Sequence, residues 1–293
     1  MERKVAVVTD STAYLPAELA KEYEIRIVPL YLIMGDQSWL DGVDIEPPAF
    51  YELLKTSPDF PTTSQPNAAA FQELFVSLFQ EGVEGIVCVL ISSDISGTVA
   101  SAQAAAANLP DLPVEIIDTR LTAMAQGFVA LAAARAAAAG GGMQAVSYAA
   151  RQVLKTAHVY FIVDTLEYLH RGGRIGAAAK FLGSVLNLKP ILELRDGIVQ
   201  PVTKVRTRRK ALEKVYELLA ARFPGGDQIH MAVFHVAARE EAARVARQLE
   251  TRFHPVELMI AECSPVIGAH AGPGTVGVAF YNEIDLTLDS SDV

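Results

Sequence analysis

Hydroxyl side chains gather at one point of the sequence, in the segment 92-SSDISGT-98. The preceding run 83–91 is rich in valine and isoleucine, which predicts a strand buried on both faces. Residues 98–109 are nearly all alanine or other small residues and predict a helix that ends before Pro110. The hydroxyl groups therefore stand at a helix N-terminus, where free backbone N–H groups and the helix dipole favour an anion. An ordinary N-capped, serine-rich turn is the alternative interpretation.

A second segment with the same character is 62-TTSQPN-67, where three hydroxyl residues precede a proline. A helix predicted over 68–80 follows, with Ser64 or Asn67 as its N-cap. Two such helix starts at the same edge of a sheet can converge on one anion. Two ordinary capped helices are the alternative here.

Two further side chains suit an anion site. Arg174 follows a Gly-Gly pair in 166-LEYLHRGGRIG-176, and a guanidinium beside such a loop either holds a carboxylate or phosphate or pins the loop. His270 stands among small residues in 264-SPVIGAHAGPGTVG-277, which we interpret as a loop before a buried strand. Its imidazole either contacts a ligand or donates a structural hydrogen bond.

The familiar enzymatic motifs do not occur in the sequence. It contains no GxxxxGK[ST] phosphate loop, and Ser96 does not lie in a GxSxG nucleophile elbow. The histidines and aspartates show no spacing typical of metal ligands. We therefore expect no catalytic residue, no metal and no cofactor, and we expect a binding protein without turnover of its own.

Composition and charge limit the partners. With 293 residues, half of them hydrophobic, the chain is long enough for two globular domains. The net charge of −9 disfavours nucleic acid as a partner, and the acidic excess lies in residues 1–150. The second half carries a basic cluster that suits a local anionic partner: Lys204, Arg206, Arg208, Arg209, Lys210 and Lys214.

Three features predict a cytoplasmic protein without stable membrane insertion. The first residues run straight into a strand predicted over 5–9, with no apolar secretory segment before it. The most apolar stretch, 121–142, contains Arg135 and predicts an alanine-rich helix of a globular protein. Cys88 and Cys263 show no redox or metal spacing, which is typical of reduced core thiols.

The order of predicted elements indicates an α/β fold with two domains. Strands over 5–9, 25–34, 83–91 and 114–118 alternate with helices, which predicts a parallel sheet covered by helices, an α/β/α arrangement. In the second half, Asp196-Gly197 between two apolar strands predicts a hairpin within a mixed sheet. We place an N-terminal parallel α/β domain with the carboxylate-binding loops at 1–157 and a C-terminal mixed-sheet domain at 158–293.

Taken in order, these motifs resemble the DegV family of bacterial fatty-acid-binding proteins. The resemblance runs from about residue 5 to residue 280 and rests on DST, TTSQP, SSDISGT, EYLHRGGRI, LNLKPIL, KVRTRRKA and HAGPGTVG. It implies a two-domain α/β protein that buries one long-chain, palmitate-like fatty acid between its domains. It also implies a similarity to the carrier subunit of fatty acid kinase, which presents the acyl carboxylate to a separate kinase for acyl phosphate formation.

The resemblance implies roles for single residues. Thr63 and Ser96 match the positions that hold the fatty-acid carboxylate. Asn67 stands where the family often has serine, and asparagine is also a good N-cap. Supporting contacts to the head group or to the kinase are assigned to Ser64, Thr98, Arg174, Arg206 and His270.

Two other functions compete with this one. The family's fold resembles that of dihydroxyacetone kinase subunits, in which a histidine binds a small carbonyl substrate covalently, so His270 is a possible nucleophile. A serine hydrolase using Ser96 and His270 is the third function, for which the sequence offers neither a nucleophile elbow nor an orienting acid.

Overall fold

The computed structural model describes residues 4–183, 188–223 and 228–282. Residues 186–187 of the LNLKPIL motif and the last residues of the predicted C-terminal domain lie outside this part of the chain. Its elements up to the start of the second half are β1 (Val5–Asp10), α1 (Ala17–Glu22), β2 (Arg26–Val28), β3 (Tyr31–Met34), β4 (Gln37–Leu40), α2 (Pro47–Thr56), β5 (Thr62–Ser64), α3 (Ala68–Gln80), β6 (Gly85–Leu90), α4 (Thr98–Ala107), β7 (Val114–Asp118), α5 (Ala123–Ala138) and α6 (Met143–Thr156).

The second half continues with a strand directly after α6 and ends, as far as it is described, in a strand. Its elements are β8 (His158–Ile162), α7 (Glu167–Arg171), β9 (Lys189–Arg195), β10 (Ile198–Val205), α8 (Arg208–Arg222), β11 (Ile229–His235), α9 (Arg239–Phe253), β12 (Glu257–Glu262), α10 (Pro265–Ala271) and β13 (Val276–Asn282). Short 3-10 turns occupy Ser11–Ala13 and Gly176–Phe181.

The first half contains the predicted parallel sheet. Its strand order is β2-β1-β6-β7, and every pair in it is parallel. All six residues of β6 are buried, as expected for a strand with neighbours on both sides and helices over both faces. The carboxyl ends of β1, β6 and β7 meet at one edge, and the loop 92–97 follows β6 there. This edge is where ligands bind in open α/β sheets.

The second half forms the predicted mixed sheet, with the order β10-β9-β8-β13-β11-β12. Only β11 and β12 pair in parallel; the other neighbours are antiparallel. The hairpin between β9 and β10 turns at Asp196 and Gly197, whose φ angles of 55° and 81° both lie in the left-handed region. The predicted α/β class, with a parallel sheet, a mixed sheet and covering helices, is confirmed.

One predicted strand is wrong. The run 25–34 is divided: β2 joins the parallel sheet, whereas β3 belongs to a small antiparallel sheet of order β4-β3-β5. Pro29 lies at the break, and a proline cannot donate to a strand ladder. This small sheet and α2, which the sequence analysis did not predict, place β5 beside α10.

The buried helix α5 joins the two large sheets. It packs against β1 and β6 on one side and against β11 and β13 on the other. Most of its residues are alanine or other small residues and are buried, so both sheets approach it closely. One of the three apolar clusters of the described residues runs through this helix into both halves of the chain. A domain boundary at residue 157, between α6 and β8, stays a prediction.

None of the helices described combines the length and the apolar character that crossing a bilayer would need.

Candidate functional site

A narrow cavity lies between the edge of the parallel sheet and the inner face of the mixed sheet. It holds about 850 Å³ of empty space, counting the open space at its mouth. Apolar side chains from both halves form most of its wall, among them Ile91, Ile95, Phe161, Leu194 and Phe234. Polar side chains also line it, namely Thr63, Ser64, Gln65, Ser96, Thr122, Arg174, His270 and Thr275. The cavity thus combines an apolar body with a set of polar groups.

Thr63 reaches the cavity from a strand, not from the start of a helix as predicted. It lies in β5, opposite Leu32 of β3, because β-branched threonines favour an extended backbone that can pair at a sheet edge. Ser64 follows it in the same strand and donates a long hydrogen bond of 3.4 Å to the carbonyl of Gln65. Asn67 caps α3, its side chain accepting from the N–H of Ala70 at 2.9 Å.

His270 lies in the last turn of α10, which corrects the prediction of a loop. Pro265 opens this helix in the first-turn position that suits proline, and Gly272, with φ 78°, ends it. The Nε2 atom of His270 is 2.7 Å from Oγ1 of Thr63. The strand β5 and the helix α10, which are 207 residues apart at these positions, therefore meet through this one hydrogen bond.

The imidazole of His270 is mostly, not fully, buried and is neutral at physiological pH. Burial, and secondly the charge of Arg174, lowers its pKa to about 4. Its Nδ1 atom meets no hydrogen-bond partner among the described residues and packs against Gly172. A Cβ atom at Gly172 would lie only 2.3 Å from Nδ1, so the absence of a side chain there makes room for the ring.

Ser96 lines the cavity from the loop after β6. Its Oγ is 2.8 Å from Oγ1 of Thr98, and it also accepts from the backbone N–H of Thr98 at 3.4 Å. Thr98 itself is buried, opens α4 and is not among the lining residues. Thr98 therefore orients Ser96, whereas Ser96 faces the space that a ligand would occupy.

Arg174 connects this loop to the glycine-rich turn after α7. Its Nε donates to the carbonyl of Ile95 at 3.1 Å, and its Nη1 donates to the carbonyl of Gly172 at 2.8 Å. Among the residues described, no carboxylate forms an ion pair with this guanidinium. Arg174 and Ser96 also border a shallower outer pocket, together with Gly97 and Gly173. The positive charge of Arg174 is therefore available to an anion in the cavity.

Arg206, like Thr98, is a predicted site residue that does not line the cavity, and unlike Thr98 it contacts none of the lining side chains described above. It is exposed directly after β10 and has no ion pair within the described ranges. Its neighbours differ: Arg208 pairs with Glu241 at 2.6 Å, and the ammonium of Lys204 lies 5.0 Å from the ring centre of Phe181. Arg206 thus belongs to the surface, whereas Thr63, Ser64, Ser96, Arg174 and His270 gather around the cavity.

A buried network that the sequence analysis missed holds the sheet edge. The carboxylate of Asp10 accepts from the N–H of Thr12 at 3.0 Å, from the N–H of Ile91 at 2.8 Å and from the amide of Gln126 at 3.0 Å. Burial raises the pKa of Asp10, and these hydrogen bonds act in the opposite direction. The network ties β1, β6 and α5 together below the loop that carries Ser96. The sequence feature that could have indicated this network is Asp10-Ser11-Thr12, which stands at the end of the first predicted strand.

A second network, also missed, fixes α10. Asp41 accepts from the hydroxyl of Ser264 at 2.6 Å, and burial raises the pKa of Asp41 to about 6. The phenol of Tyr51 donates to the carbonyl of Cys263 at 2.8 Å, and the phenol of Tyr14 accepts from the N–H of Ile267 at 3.1 Å. Residues far apart in the sequence thereby hold the helix that carries His270.

Contacts with the β9–β10 hairpin hold the loop 92–97 on the side opposite the Asp10 network. The hydroxyl of Ser92 donates to the carbonyl of Gly197 at 2.8 Å, at the tip of the β9–β10 hairpin. Arg120 pairs with Asp94 at 2.9 Å and also donates to the carbonyl of Asp196. The β9–β10 hairpin of the mixed sheet is therefore bonded to the loop that carries Ser96. No group of three or more acidic, histidine or cysteine side chains suited to a metal ion occurs in the described residues.

Comparison with known proteins gives one consistent answer. The family model described as "Uncharacterised protein, DegV family" matches residues 4–283. A DegV domain-containing protein of Streptomyces coelicolor is 43% identical over 279 residues, covering 95% of this chain and 98% of the relative.

Two solved structures are similar to the whole chain. A DegV family protein from Thermus thermophilus, described for its fatty acid binding, has a TM-score of 0.90 at 32% identity and covers 96% of this chain and 100% of its own. DegV of Bacillus subtilis, described as a fatty acid binding protein, has a TM-score of 0.88 at 34% identity with the same coverage. Sequence and fold agree along the full length of these relatives, and this chain belongs to the DegV family.

Proposed function

We propose that this protein binds one long-chain fatty acid in the cavity, with the carboxylate at Thr63 and Ser96. The observation that carries the proposal is the cavity itself, whose mostly apolar wall also carries the hydroxyl groups of Thr63 and Ser96, the guanidinium of Arg174 and the imidazole of His270. The fatty-acid-binding relatives from Thermus thermophilus and Bacillus subtilis support the same ligand class.

The acyl chain supplies most of the binding free energy. Burial contributes about 0.8 kcal/mol for each methylene, or about 11 kcal/mol for fourteen of them. Immobilising the ligand and ordering the loops offsets a substantial part of this gain. Hydroxyl groups then suffice for the carboxylate, and the unpaired charge of Arg174 lies close enough to balance it.

The tautomer of His270 decides where the proton of Thr63 points. A neutral imidazole carries one N–H group. When Nε2–H donates to Oγ1 of Thr63, the hydroxyl proton of Thr63 is free to donate to a carboxylate. The low pKa of about 4 keeps the ring neutral and suits this arrangement. In this proposal His270 is a positioning residue that acts through Thr63.

We further propose that the bound acid is presented to a separate kinase, which forms the acyl phosphate. The outer pocket beside Ser96 and Arg174 leaves a route to the carboxylate from outside. The sequence has no phosphate loop of its own, so a second protein would supply the nucleotide. The exposed Arg206 does not line either pocket and suits a contact with that partner.

The alternative of a small carbonyl substrate bound to His270 fits the geometry less well. Nε2 is engaged with Thr63, and Nδ1 packs against Gly172, so neither nitrogen is free to attack a substrate. A serine hydrolase is disfavoured as well, because the partner of Ser96 is Thr98 and the imidazole bonds elsewhere.

Native mass spectrometry of gently purified protein tests the proposal. We expect a non-covalent mass of a C14–C18 fatty acid, lost on denaturation, and rebinding of palmitate after its removal. The matched control is Phe161→Trp, which fills the apolar wall and should exclude the lipid while leaving Thr63 and Ser96 in place. A small covalent adduct on a histidine, or no binding of palmitate by delipidated protein, would contradict the proposal.

A further inference from the structure

Within the part of the chain that the structure describes, one hydroxyl group of the cavity wall has no hydrogen-bond partner. Five hydroxyl side chains line the cavity. Four of them have partners: Thr63 bonds to His270, Ser64 to Gln65, Ser96 to Thr98, and Thr275 to the carbonyl of Ala271 at 2.9 Å. The fifth, Thr122, is buried at its hydroxyl oxygen and meets no partner among the described residues.

Helix capping does not explain why a hydroxyl group stands at Thr122. Thr122 stands just before α5, where a threonine commonly caps the helix by accepting from its first N–H groups. Its side chain makes no such bond. The next residue, Ala123, has a left-handed backbone with φ 55°, which is uncommon for a residue with a side chain. The turn into the helix at Ala123 therefore departs from ordinary capping geometry.

An unpaired buried hydroxyl costs free energy, and valine would fill the same space without that cost. A cavity that held only an unsubstituted acyl chain would have no use for threonine at this position. The hydroxyl of Thr122 is useful when the ligand brings an oxygen atom of its own.

The backbone places Thr122 near the carboxylate end of the cavity. The carbonyl of Leu121 accepts from the N–H of Ser92 at 2.8 Å, and the carbonyl of Ser92 accepts from the N–H of Ser96 at 3.1 Å. Thr122 is thus attached to the same loop as Ser96. An oxygen that meets Thr122 would lie on one of the first carbons of the acyl chain.

We infer that Thr122 is a specificity-determining residue that favours a fatty acid with a hydroxyl group near its carboxyl end, as in a 3-hydroxy fatty acid. The inference rests on the proposed function, because it takes Ser96 as a contact of the carboxylate. It assigns to Thr122 a hydrogen bond with the chain hydroxyl, in addition to the head-group contacts of Thr63 and Ser96.

The test compares four acids on delipidated protein by displacement of a fluorescent fatty acid. The acids are palmitate, the two enantiomers of 3-hydroxypalmitate measured separately, and 16-hydroxypalmitate, whose hydroxyl lies at the far end. The proteins are wild type, Thr122→Val and Thr122→Ser. Thr122→Val keeps the shape and removes only a hydroxyl without a partner, so it should fold, and thermal unfolding of the ligand-free proteins checks this.

We expect Thr122→Val to weaken one enantiomer of 3-hydroxypalmitate relative to palmitate by about fivefold, equivalent to about 1 kcal/mol. Thr122→Ser should retain the wild-type ratio, and the ratio for 16-hydroxypalmitate should not change. An unchanged ratio for both enantiomers in Thr122→Val would overturn the inference. Equal weakening of palmitate and 3-hydroxypalmitate would also overturn it, by showing that Thr122 binds the carboxylate. If wild type binds none of the four acids, the proposed function itself fails.

Discussion

The hydroxyl of Thr63 has two roles, because it lies within hydrogen-bond distance of His270 and also faces the cavity. Ser96 has a similar double role, with Thr98 on one side and the cavity on the other. In each case a neighbouring residue fixes the position of the hydroxyl oxygen. At the scale of single residues, two positioned hydroxyl groups therefore line the cavity beside a guanidinium that has no ion pair within the described residues.

The two hydroxyl groups can be tested one at a time. Hydrogen bonds to a charged group contribute about 1.5–3 kcal/mol each. Thr63→Val and Ser96→Ala should therefore each weaken palmitate binding by about tenfold or more, with little change in the free energy of unfolding. Isothermal titration of delipidated protein measures the affinity. Ser77→Ala, on the exposed face of α3, is the control, and wild-type affinity in both site variants would remove these residues from the site.

His270 predicts a pH dependence of stability. Its pKa is lowered to about 4 in the folded protein, so the unfolded chain binds this proton more readily. The contribution of His270 to the free energy of unfolding is therefore fully present above about pH 6.5. It is lost as the pH falls from about 6.5 towards 4, by about 3 kcal/mol at most. Asp41 has the opposite effect on stability. Burial raises its pKa to about 6, so its protonation favours the folded state as the pH falls below about 6.

The comparison of wild type with His270→Gln isolates the histidine, since Asp41 and all other groups are common to both proteins. Urea unfolding of the ligand-free proteins should give a smaller loss of stability for the variant as the pH falls below about 6.5. Glutamine can still donate to Thr63, so the fold should be retained. Identical pH profiles for the two proteins would show that His270 does not titrate in this way.

Short elements held from several sides form the polar site. The helix α10 has seven residues and is fixed by Asp41, Tyr14 and Tyr51 from the first half of the chain. The loop 92–97 is held from below by the network of Asp10 and from above by the β9–β10 hairpin. Neither element could keep its geometry through local interactions alone.

Gly172 tests how closely α7 and α10 must approach. A methyl group there would overlap the ring of His270, while the backbone at Gly172, with φ −75°, accepts alanine without strain. Gly172→Ala should therefore displace the imidazole, weaken palmitate binding by about tenfold and destabilise the fold by about 1–3 kcal/mol. Titration calorimetry and urea unfolding provide the two measurements.

The matched control is Gly142→Ala, where φ is −77° and an added Cβ meets nothing within 4 Å. Its palmitate affinity should equal that of wild type, with a loss of stability of at most about 1 kcal/mol from the weaker helix cap. Normal palmitate affinity in Gly172→Ala would mean that the contact between Gly172 and His270 is not needed for binding.

The molecule as a whole separates its ligand cavity from its basic surface. The cavity lies between the two large sheets, whereas Arg206, Arg209 and Lys210 are exposed around the start of α8. Basic side chains at a helix N-terminus oppose the helix dipole, and Thr207 caps this helix by accepting from the N–H of Lys210 at 3.3 Å. An external anionic surface is a reason for a chain to keep such a cluster.

Arg206→Ala tests the proposed kinase contact separately from the proposed fatty acid binding. Because Arg206 lies outside the cavity wall, palmitate affinity should stay within about threefold, which is less than about 0.7 kcal/mol. Acyl phosphate formation with the cognate kinase added should fall sharply, and more at low salt than at physiological salt, because exposed charges are screened over about 8–10 Å.

Lys214→Ala is the control for Arg206→Ala, since Lys214 is already paired with Glu217 at 2.9 Å on the same helix. Its kinase-dependent rate should match that of wild type at both salt concentrations. Wild-type rates for Arg206→Ala would show that the basic cluster is a solvated turn and that the partner contacts another surface.

Local patterns in the sequence were enough to predict the class of fold and the residue types around the cavity. The apolar run of β6, the alternation of strands with helices and the turn at Asp196-Gly197 are local patterns, and local patterns report burial and turn geometry directly. The resemblance of the motifs to the DegV family pointed to Thr63, Ser96, Arg174 and His270, which line one cavity.

How these residues meet depends on long-range contacts that no local pattern reveals. No local pattern in 25–34 reveals that its two ends pair with different sheets, because strand pairing depends on partners elsewhere in the chain. Asp41 and Tyr14 fix the helix that contains His270, whereas burial and the charge of Arg174 lower the pKa of His270; distant segments supply all of these groups. The unpaired hydroxyl of Thr122 is likewise invisible in the sequence, since a missing hydrogen bond is a property of packing and not of residue type.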